Sequence, residues 1–196
     1  MNGTEEESMK VKICLVGDFQ VGKTSLIRRF VLDEFDDRYL ETIGTKVTKK
    51  TVNVDHPGGE DLLRVKLLIW DIMGRKEFGD LLRDAYFYGA KGIIAVCDLT
   101  RPETVESVRE WIDSVVRVTG RVPIHILGNK ADLERKVDEQ AIADLASSYD
   151  SPHHLTSAKT GLNVELAFAD MALRTSAQYY GLPEVGSGER ATAPVD

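Results

Sequence analysis

The chain alternates short, almost wholly apolar runs with longer stretches in which apolar residues recur every three or four positions. The short runs are VKICLVG (11–17), VKLLIWD (65–71), GIIAVCDL (92–99) and VPIHILGN (122–129). Their brevity and continuity predict central strands covered on both faces. KVTKKTVNV (46–54) and a strand from Leu62 are separated by HPGGED, whose proline and two glycines predict a hairpin and one antiparallel edge strand. PHHLTSA (152–158) reads as a further strand. In RPETVESVREWIDSVVRV (101–118), Val105, Val108, Ile112 and Val115 fall on one helical face, and Thr100 with Glu103 predicts a capping box. A last helix from about Asn163 to Tyr180 carries the stripe Val164, Phe168, Met171 and Ala172, and stops at Gly181 and Pro183. Strands alternating with helices predict an α/β fold: a six-stranded, mostly parallel sheet with one antiparallel edge strand and helices on both faces.

Composition narrows the functional classes. A chain of 196 residues with 42% hydrophobic content suits one core, expected over 10–181, with disordered tails at 1–9 and 182–196. Asp and Glu number 32 against 25 Lys and Arg, a net charge of -7 that argues against a general nucleic-acid or anionic-membrane binder. No apolar run approaches the roughly 18 residues of a membrane span, and MNGTEEESMK is unlike a signal peptide, so a cytoplasmic protein is expected. Cys14 and Cys97 lie inside apolar runs and read as buried free thiols. His153 and His154 lack metal-ligand spacing to a cysteine or carboxylate, which favours a structural role.

The candidate chemistry begins at GDFQVGKT (17–24), which follows the first predicted strand and opens a helix. In this G-x-x-x-x-G-K-T spacing, a bent backbone aims successive N–H groups at phosphate oxygens, with the positive end of the helix behind them. Asp18, Phe19, Gln20, Val21 and Gly22 form the loop, Lys23 supplies a mobile cation, and Ser25 continues the helix. The hydroxyl of Thr24 can join the oxygen shell of Mg²⁺.

Two later stretches address a base. GNKAD (128–132) ends one predicted strand and TSAK (156–159) ends the next. A carboxylate such as Asp132 can accept from both the ring N–H and the exocyclic amine of guanine, a donor pair that adenine does not offer. After VKLLIW, the segment DIMGRKEF (71–78) sets Asp71 and Gly74 beside the basic pair Arg75 and Lys76.

With these motifs assembled, residues 10–181 resemble the Ras superfamily of small GTPases, and within it the Rab and Rab-like branch. The resemblance implies GTP or GDP as ligand with Mg²⁺, and GTP hydrolysis. It further implies that Asn129 and Asp132 hold guanine, that Lys130 packs along it, and that Ser157, Ala158 and Lys159 close the pocket. Phe35 corresponds to an aromatic that stacks on the base, and Tyr39 to a tyrosine near the phosphates. Thr24 and Thr42 would bind Mg²⁺ directly and Asp71 through water, while Gly74 would sense the γ-phosphate. Effector, exchange and activating proteins are the implied partners of a monomeric switch. Neither a prenylation cysteine in APVD nor a myristoylation glycine is present, so no direct lipid anchor is expected.

The chain departs from the family pattern at three positions. Arg75 replaces the usual glutamine of the catalytic position, Phe19 stands where Gly or Ser is usual, and Gln20 stands where Gly is usual. Glutamine accepts from an attacking water, whereas guanidinium has five donors and no acceptor. Slow hydrolysis, or a GTP-binding module with negligible hydrolysis, is therefore expected. Two other readings stay open at this stage: Arg75 contacting the γ-phosphate as an internal arginine finger, and water positioning by Gln20 or another residue.

Overall fold

A computed structural model describes residues 8–36, 38, 42, 44–59, 62–74 and 80–182, the side chains of 80–83 excepted. The elements run β1 (Ser8–Val16), α1 (Lys23–Leu32), β2 (Thr45–Asp55), β3 (Leu62–Ile72), α2 (Asp80–Phe87) and β4 (Gly92–Asp98). They continue with α3 (Glu103–Thr119), β5 (Ile124–Asn129), α4 (Glu139–Ser147), β6 (His153–Leu155) and α5 (Val164–Tyr179). The sheet order is β2-β3-β1-β4-β5-β6. β2 pairs antiparallel with β3 and every other pairing is parallel, as the hairpin signal and the apolar runs predict. β1 starts at Ser8, two residues ahead of the sequence boundary. Leu182, at the start of the expected C-terminal tail, donates to Ala177 O, and residues 1–7 and 183–196 lie outside the described residues.

The alternation along β1 distributes its side chains to two cores. Val11, Ile13 and Leu15 meet Leu26 and Phe30 of α1 and Phe168 and Met171 of α5 on one face. Cys14 and Val16 meet Trp111, Ile112 and Val115 of α3 and Ile142 of α4 on the other. Phe30 and Phe168 stack with centroids 4.1 Å apart, tying α1 to α5. Both cysteines are buried and free, and burial pushes each thiol up to about 12. His154 Nδ1 lies 2.8 Å from His125 Nε2, and His125 Nδ1 lies 3.1 Å from Asp170, which also holds Arg174. These histidines thus join β6, β5 and α5.

One local expectation fails. Thr100 does not cap α3: both its N–H and its hydroxyl donate to Asp98 Oδ1, at 2.9 and 2.7 Å. Pro102 precedes the helix instead, without a side-chain cap. The reason is Asp98, a carboxylate with no solvent exposure at the end of β4, which must collect donors from whatever follows it.

Candidate nucleotide site

In a parallel sheet the strands deliver their following loops to one edge, and here the loops after β1, β3, β4, β5 and β6 meet there. The loops after β1, β3, β5 and β6, with the segment between α1 and β2, surround a cavity of about 840 Å³. Phe19, Gln20, Gly22, Lys23, Thr24 and Ser25 line it at one end, and Asn129, Lys130, Asp132, Ala158 and Lys159 line it at the other. Phe35, Thr42 and Gly74 complete the wall. Motifs more than a hundred residues apart in sequence therefore share one surface. Tyr39 and Arg75 lie outside the described residues.

At the phosphate end, α1 begins after Gly22 with no side-chain cap and no acidic residue in its first turn, so its N-terminal N–H groups are left for a ligand. Gly22 has φ 99°, and a Cβ there would lie 2.3 Å from Asn129 Nδ2. Lys23 is buried, and its ammonium donates to the carbonyls of Gly17 and Asp18 at 2.7 and 2.8 Å. Desolvation lowers its pKa to about 8, partly offset by Asp71 and Asp18.

Beside Lys23, three oxygens converge. Thr24 Oγ1 donates to Asp71 Oδ2 at 2.5 Å and lies 3.0 Å from Thr42 Oγ1, which lies 3.4 Å from the same carboxylate oxygen. Among the described residues, Asp71 Oδ1 is buried with no hydrogen-bond partner. Burial raises the Asp71 pKa despite the Thr24 hydrogen bond. An orphaned carboxylate oxygen amid hydroxyls fits a hard divalent cation such as Mg²⁺, with Thr24 and Thr42 as ligands and Asp71 behind them. Gly74 crosses close to the phosphate loop: a Cβ on it would lie 2.5 Å from the backbone of Asp18 and 2.6 Å from Phe19 N.

At the other end, Asp132 Oδ1 accepts from Ser157 Oγ at 2.6 Å, which orients the carboxylate. Arg29 grips the next two carbonyls, Ala158 O at 2.9 Å and Lys159 O at 2.7 Å, and so fixes the TSAK loop to α1. Asn129 donates to Val21 O and accepts from Ala158 N, at 2.9 and 3.2 Å. It braces the phosphate loop against the base loop as well as lining the cavity.

Four expected residues do not line the cavity. Asp18 accepts from Trp111 Nε1 at 2.8 Å, Val21 is buried in the core beneath the loop, Asp71 lies behind Thr24, from which it accepts, and Ser157 donates to Asp132. Sequence reading passed over Asp98, Arg101, Trp111, Leu32 and Leu133. Leu32 and Leu133 are exposed apolar residues on the cavity wall, suited to the face of a planar ring. Asp98 had a visible signal: it is a carboxylate that ends β4, as Asp71 stands one residue before the end of β3. Asp98 takes Lys130 Nζ at 2.6 Å and Arg101 Nε at 3.0 Å, and against the opposing effect of burial these donors and those of Thr100 hold it below the usual carboxylate range.

A glycine-bearing phosphate loop at the head of α1, with an oxygen cluster beside it and a carboxylate-bearing loop at the far end, defines a P-loop G domain. Residues 12–177 match the Ras family. The chain is 37% identical over 164 residues to Ras-related protein Rab-13 of Bos taurus, covering 82% of this chain and 77% of that protein. It is also 37% identical over 175 residues to Ras-related protein Rab-1D of Dictyostelium discoideum, covering 88% of this chain and 82% of that one. The chain belongs to the Ras family of small GTPases, in its Rab-like part. Among the described residues no helix is long and apolar enough to cross a membrane.

Proposed function

We propose that the chain is a guanine-nucleotide switch that binds GTP or GDP with Mg²⁺, hydrolyses GTP slowly, and presents two nucleotide-dependent loops to effector proteins. The observation that carries this reading is the cluster of Thr24, Thr42 and Asp71, with its unpartnered buried oxygen, at one end of a cavity whose other end holds Asp132. Lys23 and the α1 N-terminus bind the phosphates, and Thr24, Thr42 and Asp71 hold the metal. When bound, Mg²⁺ neutralises phosphate charge. Asp132, oriented by Ser157, accepts from guanine, while Asn129, Lys130, Ala158 and Lys159 shape the pocket around it.

Thr42 and Gly74 belong to the loops that would respond to the γ-phosphate, since their contacts change with one phosphoryl group. Effectors and activating proteins read the triphosphate form, and exchange proteins release the diphosphate. A GTP-binding module with negligible hydrolysis is the second reading, favoured by Arg75 at the glutamine position and by Phe19 in the cavity wall. The deciding experiment denatures freshly purified protein and identifies the released nucleotide chromatographically. GDP supports a cycling enzyme, GTP supports the held module, and retention of adenine nucleotide would defeat both.

Thr42→Ala is expected to weaken Mg²⁺·GTP about tenfold while changing Mg²⁺·GDP less than twofold, because its hydroxyl joins the metal in the triphosphate state. Equal losses for the two nucleotides in parallel titrations would remove Thr42 from the switch.

A pH dependence follows from Lys23. Its pKa of about 8 in the ligand-free fold must rise when phosphate arrives beside it. Below that value Lys23 is charged with or without ligand, so affinity is flat. Above it binding takes up a proton, and GDP affinity is expected to fall by up to about tenfold per pH unit. Titrations between about pH 7 and 9 check this, and an affinity that is constant or rises over that window would contradict it.

A further inference from the structure

Gln20 has φ 62°, in the left-handed region that residues with a Cβ seldom adopt. The peptide leading into it offers its carbonyl, Phe19 O, to Arg101 Nη2 at 2.8 Å. The same guanidinium donates through Nε to Asp98 Oδ2 at 3.0 Å, so one rigid fork spans a buried carboxylate and the strained loop. Trp111 ties the preceding residue through Asp18 Oδ1 at 2.8 Å. Asp98 also holds Lys130 at 2.6 Å, which links the base loop to the same anchor.

We infer that Arg101 is a positioning residue: it latches the phosphate loop against the strain at Gln20 and thereby sets how long nucleotide stays bound. The inference rests on the nucleotide reading above and adds to it a determinant of release. Arg101 is suited to the role because it contacts only loop backbone and Asp98 among the partners described, and because its side chain is one-third exposed, 32%, and can swing away. With glycine at this position the left-handed conformation is unstrained, and the latch has less to hold.

The test is a double-mutant cycle on the dissociation rate of a fluorescent GDP analogue from the full chain loaded with Mg²⁺. Arg101→Ala is expected to speed release about tenfold, the scale of one hydrogen bond from a charged donor. In a Gln20→Gly background the same change is expected to alter release less than about threefold. Arg101→Lys keeps the charge but lacks the fork, and is expected to behave more like alanine than like the parent. An unchanged rate in Arg101→Ala, equal factors in the two backgrounds, or parental release from Arg101→Lys would each overturn the latch. If the parent binds no guanine nucleotide, the functional reading falls first. The same cycle on thermal midpoints of nucleotide-free protein then still decides the coupling. A larger drop on Arg101→Ala in the parent than in the Gln20→Gly background supports it, and equal shifts overturn it.

Discussion

Asp132→Asn is expected to weaken GTP binding by about 10²- to 10⁴-fold while leaving the fold intact, and to turn the site toward a xanthine base. Asp132 is an acceptor-only group that already takes the Ser157 hydroxyl at 2.6 Å and has lone pairs left for two guanine donors. An asparagine that keeps its oxygen on Ser157 directs its amide hydrogens at the base, where guanine presents only donors. Two facing donors are left unpaired, and a site built around hydrogen bonds loses far more from a mismatch than an apolar one does. Xanthine carries a carbonyl in place of the exocyclic amine and can pair with that amide. Competition titrations with GTP, ATP and xanthosine triphosphate measure the outcome. A parent that binds ATP as well as GTP, or a variant that keeps parental GTP affinity, would remove Asp132 from base recognition.

The architecture was readable because its main signals are local. The strands β4 and β5 and the C-terminal halves of β1 and β3 are nearly continuous apolar runs, and Pro57 with Gly58 and Gly59 marks the only turn that reverses strand direction among the described pairings. The phosphate loop and the NKAD and TSAK stretches were readable for the same reason, since each is a contiguous motif whose spacing has a backbone cause. Bonds between distant segments left no such trace. Nothing near Phe19 announces Arg101, 82 positions away, and nothing near Asp18 announces Trp111, 93 away. Asn129 was legible as a base-loop residue, but its bond to Val21 O depends on the sheet bringing the ends of β1 and β5 together. The Thr100 and Glu103 cap failed because a local pattern competed with a buried charge: the donors went to Asp98, where leaving the carboxylate unpaired costs more than an uncapped helix end.

The double change Phe19→Gly with Arg75→Gln is expected to hydrolyse GTP faster than the parent, by about tenfold or more in single turnover. Arg75 lies outside the described residues, and its chemistry is that of a guanidinium: five donors and no acceptor for the proton of an attacking water. Phe19 lines the cavity beside Gln20 and Lys23, where the bulk of its ring is proposed to limit the room for a water-orienting side chain or for a partner's arginine. Removing that ring leaves the carbonyl of residue 19 in place, so the bond from Arg101 to the loop can persist in the variant. Arg75→Gln alone carries the sign that separates the two mechanisms. A faster rate means that the missing acceptor restrained catalysis, whereas a rate lower by up to about 10³-fold means that Arg75 was neutralising charge on the γ-phosphate as an internal arginine finger. Because both positions are proposed to act on the same phosphate, both single variants must accompany the double one to expose their coupling. A parent that already turns over as fast as the double variant would show that neither residue restrains the reaction and that another group positions the water.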